Sequence, residues 1–472
     1  MTKQVFNPYL PSWEYIPDGE PHVFDGRVYV YGSHDLFNGC VFCLGDYVCY
    51  SAPIDNLKDW RYEGVIYERM DEPINKDGKM VLYAPDVTKG SDGRYYLYYV
   101  YDKVDIVSVA VCDTPAGRYK FYGYVHYKDG TLLGKRNGDE PQFDPGVLTE
   151  GDKTYLYTGF CDRAMTERHG AMCTVLGKDM LTIEEDPVIV VPSYAHAKGS
   201  GFEGHEFFEA SSIRKVGDTY YFIYSSVLMH ELCYATSKNP AKGFTYRGVI
   251  VSNADMYIDT YKKADFIACY GGNNHGGIEK INGDYYIFYH RQTNGTWFSR
   301  QGCAEKIKIE SDGSIKQVEM TSCGLNGAPL EGKGTYYAYI ACNMFLRSKP
   351  CLYVTDDYCY PKITQDGRDG DEIPGHIVNI KDGTVLGFKY FDFKDVHSFS
   401  IMTRGYCSGW FEIKTSIDGE TLGKIQVSNT NFWQEFTTEV RIPDGVSALY
   451  LEYKGGGNAS LLSFTLSTKK CN

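Results

Sequence analysis

The sequence predicts an all-β chain, a five-bladed β-propeller followed by a β-sandwich. Three observations predict the propeller: a Gly turn leading into a Tyr-rich strand recurs five times, the spacing is nearly constant, and an ionisable residue stands upstream of every turn. The copies are Asp25-Gly-Arg-Val-Tyr-Val-Tyr31, Asp92-Gly-Arg-Tyr-Tyr-Leu-Tyr98, Gly151-Asp-Lys-Thr-Tyr-Leu-Tyr157, Gly217-Asp-Thr-Tyr-Tyr-Phe-Ile-Tyr224 and Gly283-Asp-Tyr-Tyr-Ile-Phe-Tyr289. Their turn glycines, Gly26, Gly93, Gly151, Gly217 and Gly283, lie 67, 58, 66 and 66 residues apart. Alternation with period two between Gly, Asp and Asn boundaries marks strands and excludes helical repeats. A period of that length holds one four-stranded blade with long loops, and five copies fall within the roughly four to eight blades of propellers.

The 472 residues suffice for two to four domains. Lys and Arg total 48 against 61 Asp and Glu, a net charge of −13 with no long basic run, which argues against nucleic acid as a partner. The 15% aromatic content favours strands and flat-ligand surfaces over disorder. No apolar run approaches the length of about 18 residues that a membrane helix needs, so no membrane partner is expected. Met1-Thr-Lys-Gln leads into Val-Phe-Asn-Pro8 without the apolar stretch of a secretory signal, and the 15 Cys fit reduced thiols, so a cytoplasmic location is expected. Cys40 and Cys43 form a Cys-x-x-Cys without a second pair, which reads as loop thiols rather than a zinc site.

Seven or eight residues before each turn glycine stand Asp18, Asp86, Asp144, Glu209 and His275. The first strand of each blade lines the propeller axis, so these five groups are expected to converge there. Like charges in one partly desolvated funnel cannot all ionise normally: one carboxyl keeps its proton while another stays charged. Glycoside hydrolysis needs that division between an acid and a base.

With these segments, residues 5–320 resemble glycoside hydrolase family 43. Pro17-Asp-Gly-Glu-Pro-His-Val-Phe24 and Tyr31-Gly-Ser-His-Asp35 are similar to its first-blade motif, Tyr83-Ala-Pro-Asp-Val87 to its second, and Phe143-Asp-Pro-Gly-Val147 to its third. Phe207-Phe-Glu-Ala-Ser211 and Asn273-Asn-His-Gly-Gly277 match the fourth and fifth. The resemblance implies Asp18 as general base, Glu209 as general acid, and Asp144 as the carboxylate that tunes the acid and orients substrate. It implies a substrate-binding group of Asp86, Tyr83, His275, Asp35, Arg291 and Arg300, one of the arginines reaching a sugar hydroxyl or Asp144. His275 is further expected to face a water-coordinated Ca²⁺ at the axis, with no organic cofactor. Gly19 stands where the family often has Pro, and Glu20, on the same strand face as Asp18, is a rival base.

The repeat stops after about residue 320, and a second domain is expected over 335–472. Val385–Phe393, Trp410–Thr415, Gly423–Val427 and Ser447–Tyr453 read as short sandwich strands. They resemble carbohydrate-binding module family 6, with Trp433 a candidate sugar platform; bracing the propeller or lending a loop to its rim are the alternatives. The function expected from the whole is inverting, exo-acting hydrolysis of terminal α-L-arabinofuranosyl or β-D-xylosyl residues from plant cell-wall oligosaccharides of the arabinoxylan type. The rivals are an endo-acting arabinanase or xylanase and a non-catalytic carbohydrate-binding protein.

Overall fold

A computed structural model describes residues 4–355 and 360–469. Five antiparallel meanders form the propeller. Blade one is β1 (Glu20–Phe24), β2 (Arg27–Tyr31), β3 (Tyr47–Pro53) and β4 (Arg61–Tyr67); blade two is β5 (Asp86–Lys89), β6 (Tyr95–Tyr99), β7 (Ser108–Cys112) and β8 (Lys120–Tyr124). Blade three is β9 (Gly146–Glu150), β10 (Lys153–Thr158), β11 (Gly170–Leu176) and β12 (Ile183–Pro192); blade four is β13 (Phe207–Val216), β14 (Thr219–Ser226), β15 (Glu231–Ser237) and β16 (Thr245–Ser252). Blade five has three strands, β17 (Ile278–Ile281), β18 (Asp284–Gln292) and β19 (Arg300–Ile307).

The recurring turns are tight hairpins for a backbone reason. Phe24 pairs with Arg27 around Asp25 and Gly26, at φ 47° and 78°, and Ile281 pairs with Asp284 around Asn282 and Gly283, at φ 49° and 94°. Two successive left-handed residues make the turn whose twist matches the strands, and Asp, Asn and Gly tolerate that region best.

The recurring tyrosines have a second cause beyond strand propensity. Tyr31 donates its hydroxyl to the Pro115 carbonyl at 2.7 Å, Tyr98 to Met180 at 2.7 Å, Tyr157 to Pro240 at 2.6 Å and Tyr221 to Gly313 at 2.9 Å. In the first three cases a ring buried in one blade ties a loop of the next, and Tyr221 of blade four ties the turn after β19. Each bond satisfies a hydroxyl that burial would otherwise leave costly. Blade five is closed by the N-terminal segment, whose Asn7 side chain bonds Ala304 in both directions at 2.9 and 3.0 Å while Tyr9 N–H bonds the Gly302 carbonyl.

The chain then builds one ten-stranded assembly around two long strands, Val396–Lys414 and Gly445–Ser467, which pair along most of their length and carry the shorter strands. The expected strands lie within this assembly, which is consistent with a sandwich curled over Phe388, Phe399, Phe411, Tyr453 and Phe464. That core does not stop at the propeller: Leu232, Ile250, Ile287 and Cys303 of blades four and five pack in the same apolar cluster. Across the seam, Lys389, fully buried, bonds Asp255 and Glu319 at 3.1 Å each, so neither part shields its surface without the other.

Candidate active site

The inner strands β1, β5, β9, β13 and β17 touch one another around the axis, and a cavity of about 360 Å³ opens where they begin. Asp18, Asp144, Glu209, Tyr83 and Arg300 line it, with Asn273 at one side. Its walls are apolar: Phe42, Phe143, Phe160, Phe208, Met229 and Trp297. Asp18 and Asp144 each stand two residues before a first strand at φ 58° and 43°, and Ala210, directly after Glu209, has φ 69°. Left-handed backbone at non-Gly residues carries a local cost and is found where function needs a side chain aimed off the regular path. Gly146, two residues after Asp144, is required by the neighbouring blade: a Cβ there would lie 2.4 Å from the Ser211 carbonyl oxygen.

The carboxyls have opposite environments. Burial works to raise Asp18, but the Arg300 guanidinium, whose Nη1 donates to Asp18 Oδ1 at 2.9 Å, outweighs it and holds the carboxyl well below its usual range. Arg300 is itself fixed by Asp35, which accepts from its Nε at 2.8 Å and its Nη2 at 3.0 Å, and it lies over the Phe42 ring. His290 completes the base side: its Nε2 lies 2.8 Å from the Asn273 carbonyl, and its Nδ1 lies 3.1 Å from the Asp18 backbone nitrogen and 3.2 Å from Asp18 Oδ1. Glu209 is pushed up to about 7, first by burial and then by the charge of Asp18. Asp144, whose Oδ2 accepts the Ala210 N–H at 3.0 Å, is also raised, by burial first, then by the charges of Glu209 and Asp18. Burial and Asp18 thus raise Glu209, and the Glu209 and Asp144 carboxyls, which repel each other, are raised as a pair.

Four of the expected site residues stand elsewhere than in the pocket wall. Asp86 lies at the axis, its carboxylate against His22 Nε2 at 2.6 Å and accepting the Val87 and Val147 N–H groups at 2.7 Å each, so it joins blades instead of meeting substrate. Asp35 reaches the site through Arg300 and through the N–H of Cys43, a pocket residue, which its Oδ1 accepts at 2.9 Å. Arg291 is buried at the seam with the C-terminal assembly, donating to the Ala341 carbonyl at 3.1 Å and to Cys269 Sγ at 3.5 Å; strand alternation turns it away from the pocket. His275 lies beneath the floor, 3.6 Å from Asp144, 4.0 Å from Asp18 and 3.7 Å from Glu20. Glu20, the rival base, is fully buried below the pocket and held by Ser212 and Arg214 at 3.0 Å each. Sequence reasoning missed His290 and the wall residues Phe42, Phe160, Met229 and Trp297. Only Trp297 carried a signal, as a large aromatic in the Gly-containing loop between the last two blade strands.

Trp433 is half-buried, with the Arg404 guanidinium 4.2 Å over its ring and the edge of His376 at 5.2 Å.

Comparison with known proteins agrees with this geometry. The model of glycosyl hydrolases family 43 matches residues 24–315. A Xylosidase/arabinosidase of Thermoclostridium stercorarium is 67% identical over 99% of this chain and 100% of its own length. An Arabinoxylan arabinofuranohydrolase of Paenibacillus polymyxa is 24% identical over 93% of this chain and 71% of its own. Among solved structures, a family 43 arabinoxylan arabinofuranohydrolase from Bacillus subtilis shares the fold over 98% of this chain and 97% of that one at 21% identity, with a TM-score of 0.51. A β-xylosidase/α-arabinofuranosidase from a compost microbial metagenome, solved with xylotriose in a calcium-free form, is 28% identical over 66% of this chain and 96% of that one, with a TM-score of 0.51. This chain belongs to glycosyl hydrolases family 43.

Proposed function

We propose that this chain is an inverting, exo-acting glycosidase that releases terminal β-D-xylosyl and α-L-arabinofuranosyl residues from short arabinoxylan oligosaccharides. One observation carries the reading: a single pocket holds a carboxyl kept ionised by Arg300 and another pushed up to about 7. Glu209 then gives its proton to the glycosidic oxygen while Asp18 takes one from a water on the opposite face of the sugar. Asp144 fixes the Ala210 N–H beside the acid, and Asn273 Nδ2 donates to Glu209 Oε1 at 3.4 Å. A cavity of about 360 Å³ stands near the small end of the roughly 300–1,000 Å³ of ligand pockets, which suits a terminal residue better than an internal stretch of polymer. The aromatic walls offer flat apolar faces to a sugar ring, and the relatives' names supply the pentose class.

A cation at the axis has a donor set. Among the described residues His275 Nε2 and Glu20 Oε1 have no hydrogen-bond partner, both being buried, and burial lowers His275 to about 4, leaving a neutral imidazole with a free lone pair. These two atoms would hold a Ca²⁺ whose remaining ligands are waters. Bound there, it would supply positive charge beneath the carboxyls. Glu20, raised to about 8 by burial and then by Asp86, would lose its proton to solvent on binding such an ion.

The test is hydrolysis of an aryl xyloside and an aryl arabinofuranoside side by side, with linear arabinan as third substrate and the anomer of the first product read by NMR. Turnover of the aryl glycosides with inverted product is expected. Retained configuration, preferential attack within arabinan, or binding without turnover would each overturn the reading.

A further inference from the structure

On the fourth blade, apart from the pocket, three side chains with metal-ligating atoms converge that the hydrolytic reading does not use. His205 precedes β13, and Glu231 and Cys233, two residues apart on β15, point to one face of that strand. Glu231 Oε1 lies 2.6 Å from His205 Nδ1 and 3.3 Å from Cys233 Sγ, and the sulfur is 3.9 Å from the same ring nitrogen. Glu231 and Cys233 are fully buried, whereas the His205 side chain keeps 27% of its surface exposed, leaving an approach from solvent. A second observation points to a ligand. Glu231 Oε2 is buried with no hydrogen-bond partner among the described residues, so this oxygen of the carboxylate is open to a ligand. The surroundings hold the set in place: His205 stacks on Tyr246 at 5.0 Å and Ser226 donates to Glu231 Oε1 at 2.5 Å.

We propose that His205, Glu231 and Cys233 form a binding site for a divalent transition-metal ion of the zinc class. Zinc takes nitrogen at about 2.0–2.1 Å, carboxylate oxygen at about 2.0–2.2 Å and sulfur at about 2.3 Å, which in tetrahedral geometry sets ligand atoms about 3.3–3.6 Å apart. The two separations involving sulfur bracket that range. The third is a hydrogen bond that opens by less than about 1 Å once its proton is displaced. The thiolate excludes Ca²⁺ and Mg²⁺, which take oxygen ligands. On binding, the Cys233 thiol loses its proton to solvent as the sulfur–metal bond forms, and His205 binds through a deprotonated Nδ1. The ion would cross-link the segment leading into β13, which carries Glu209, to β15, which follows the loop that places Met229 in the pocket wall.

The experiment uses the full chain freed of metal with EDTA and titrated with Zn²⁺ by calorimetry and with Co²⁺ by absorbance. One equivalent is expected, with a thiolate-to-Co²⁺ charge-transfer band in the near ultraviolet. Cys233→Ser is expected to abolish that band, and both it and His205→Gln to weaken Zn²⁺ at least about tenfold, since even outer partners of metal ligands are worth that much. Melting curves in EDTA identify which variants fold, and His205→Gln, at a partly exposed side chain, keeps the test available if Cys233→Ser does not. Failure of the wild type to bind micromolar Zn²⁺ would overturn the site. So would a charge-transfer band that survives Cys233→Ser, or Zn²⁺ affinity unchanged in His205→Gln. Excess Ca²⁺ is expected not to displace Co²⁺ from the thiolate; displacement would also refute the assignment.

Discussion

Arg300→Met is the substitution that tests how Asp18 is kept available as a base. The guanidinium lies 2.9 Å from Asp18 Oδ1, and an opposite charge at such range moves a carboxyl by roughly one to three pKa units, each worth about 1.36 kcal/mol. With it gone, burial is left as the largest influence and works upward. Asp18 must be ionised to take a proton from water, so its titration sets the acid limb of kcat/KM against pH. The wild type is expected to show no acid limb above about pH 4, because the folded carboxyl titrates below its unfolded value of about 3.9. Arg300→Met is expected to bring a limb into the range of roughly pH 4–6 on an aryl glycoside, besides lowering the plateau. Arg300→Lys keeps a charge but loses the two-pronged contact with Asp35, so its limb should stay low while the rate falls. Removing the cation also strands Asp35, at a cost of about 3–5 kcal/mol, so the profile is read well below each variant's Tm. The linkage has a definite sign: the depressed Asp18 contributes stability that is present above its unfolded pKa and lost as pH falls through its folded one. An acid limb that does not move in Arg300→Met would refute the reasoning.

Glu209→Gln should abolish turnover of natural oligosaccharides while sparing part of the activity on substrates with activated leaving groups, and equal loss on both would remove Glu209 from the acid's role. Since the acid must hold its proton and Glu209 is raised to about 7, wild-type activity should fall as pH rises through about 7; a plateau extending to pH 9 would contradict this. Asp144→Asn removes one member of a mutually repelling carboxyl pair and should cut the rate and move that alkaline limb to lower pH; an unmoved limb would leave burial and Asp18 as what raise Glu209. Lys389→Ala leaves Asp255 and Glu319 without their buried cation and should cost about 3–5 kcal/mol in denaturant unfolding; a loss under about 1 kcal/mol would mean that the seam is not held there.

The propeller was legible because its signals are local. Gly26 and Gly283 are dictated by two-residue turns, and the alternation that follows each of them needs no knowledge of distant residues. The catalytic carboxyls were legible for a related reason: a repeated blade converts equal offsets in sequence into neighbours around an axis, so Asp18, Asp144 and Glu209 were placed together by counting. What counting could not separate was depth along that axis. Asp86 occupies the same offset as Asp144, yet β5 begins at Asp86 itself whereas β9 begins two residues after Asp144, so the first is enclosed against His22 and the Val147 N–H while the second lines the cavity. Arg291 and Arg300 stand close in sequence on successive strands, and only the register of β18 against β19 turns one toward Asp18 and the other toward Ala341. The aromatic walls were hidden more deeply, since Phe42, Phe160 and Trp297 come from loops whose paths depend on packing rather than on a repeat.

The C-terminal assembly bears on the pocket more directly than a tethered module would. Gly271 N–H bonds the Leu352 carbonyl at 2.8 Å and Val354 N–H returns to the Gly271 carbonyl at 2.7 Å, two residues from the Asn273 that contacts Glu209. Tyr353 donates its hydroxyl to the Leu228 carbonyl at 3.0 Å, beside Met229, and Ile363 N–H bonds the Thr293 carbonyl at 2.9 Å, at the base of the loop carrying Trp297. Asp369 accepts the Phe37 N–H at 2.6 Å, in the segment that leads to Phe42. Loops of blades one, four and five that form the pocket wall are thus held at their main chain by hydrogen bonds with Leu352, Tyr353, Val354, Ile363 and Asp369. Bonds of this kind fix backbone position without contributing a side chain to the chemistry. Together with the apolar core shared across the seam, they make the second half of the chain part of what shapes the pocket, so that bracing and rim-building, the two alternatives to sugar binding that the sequence left open, are one structural arrangement.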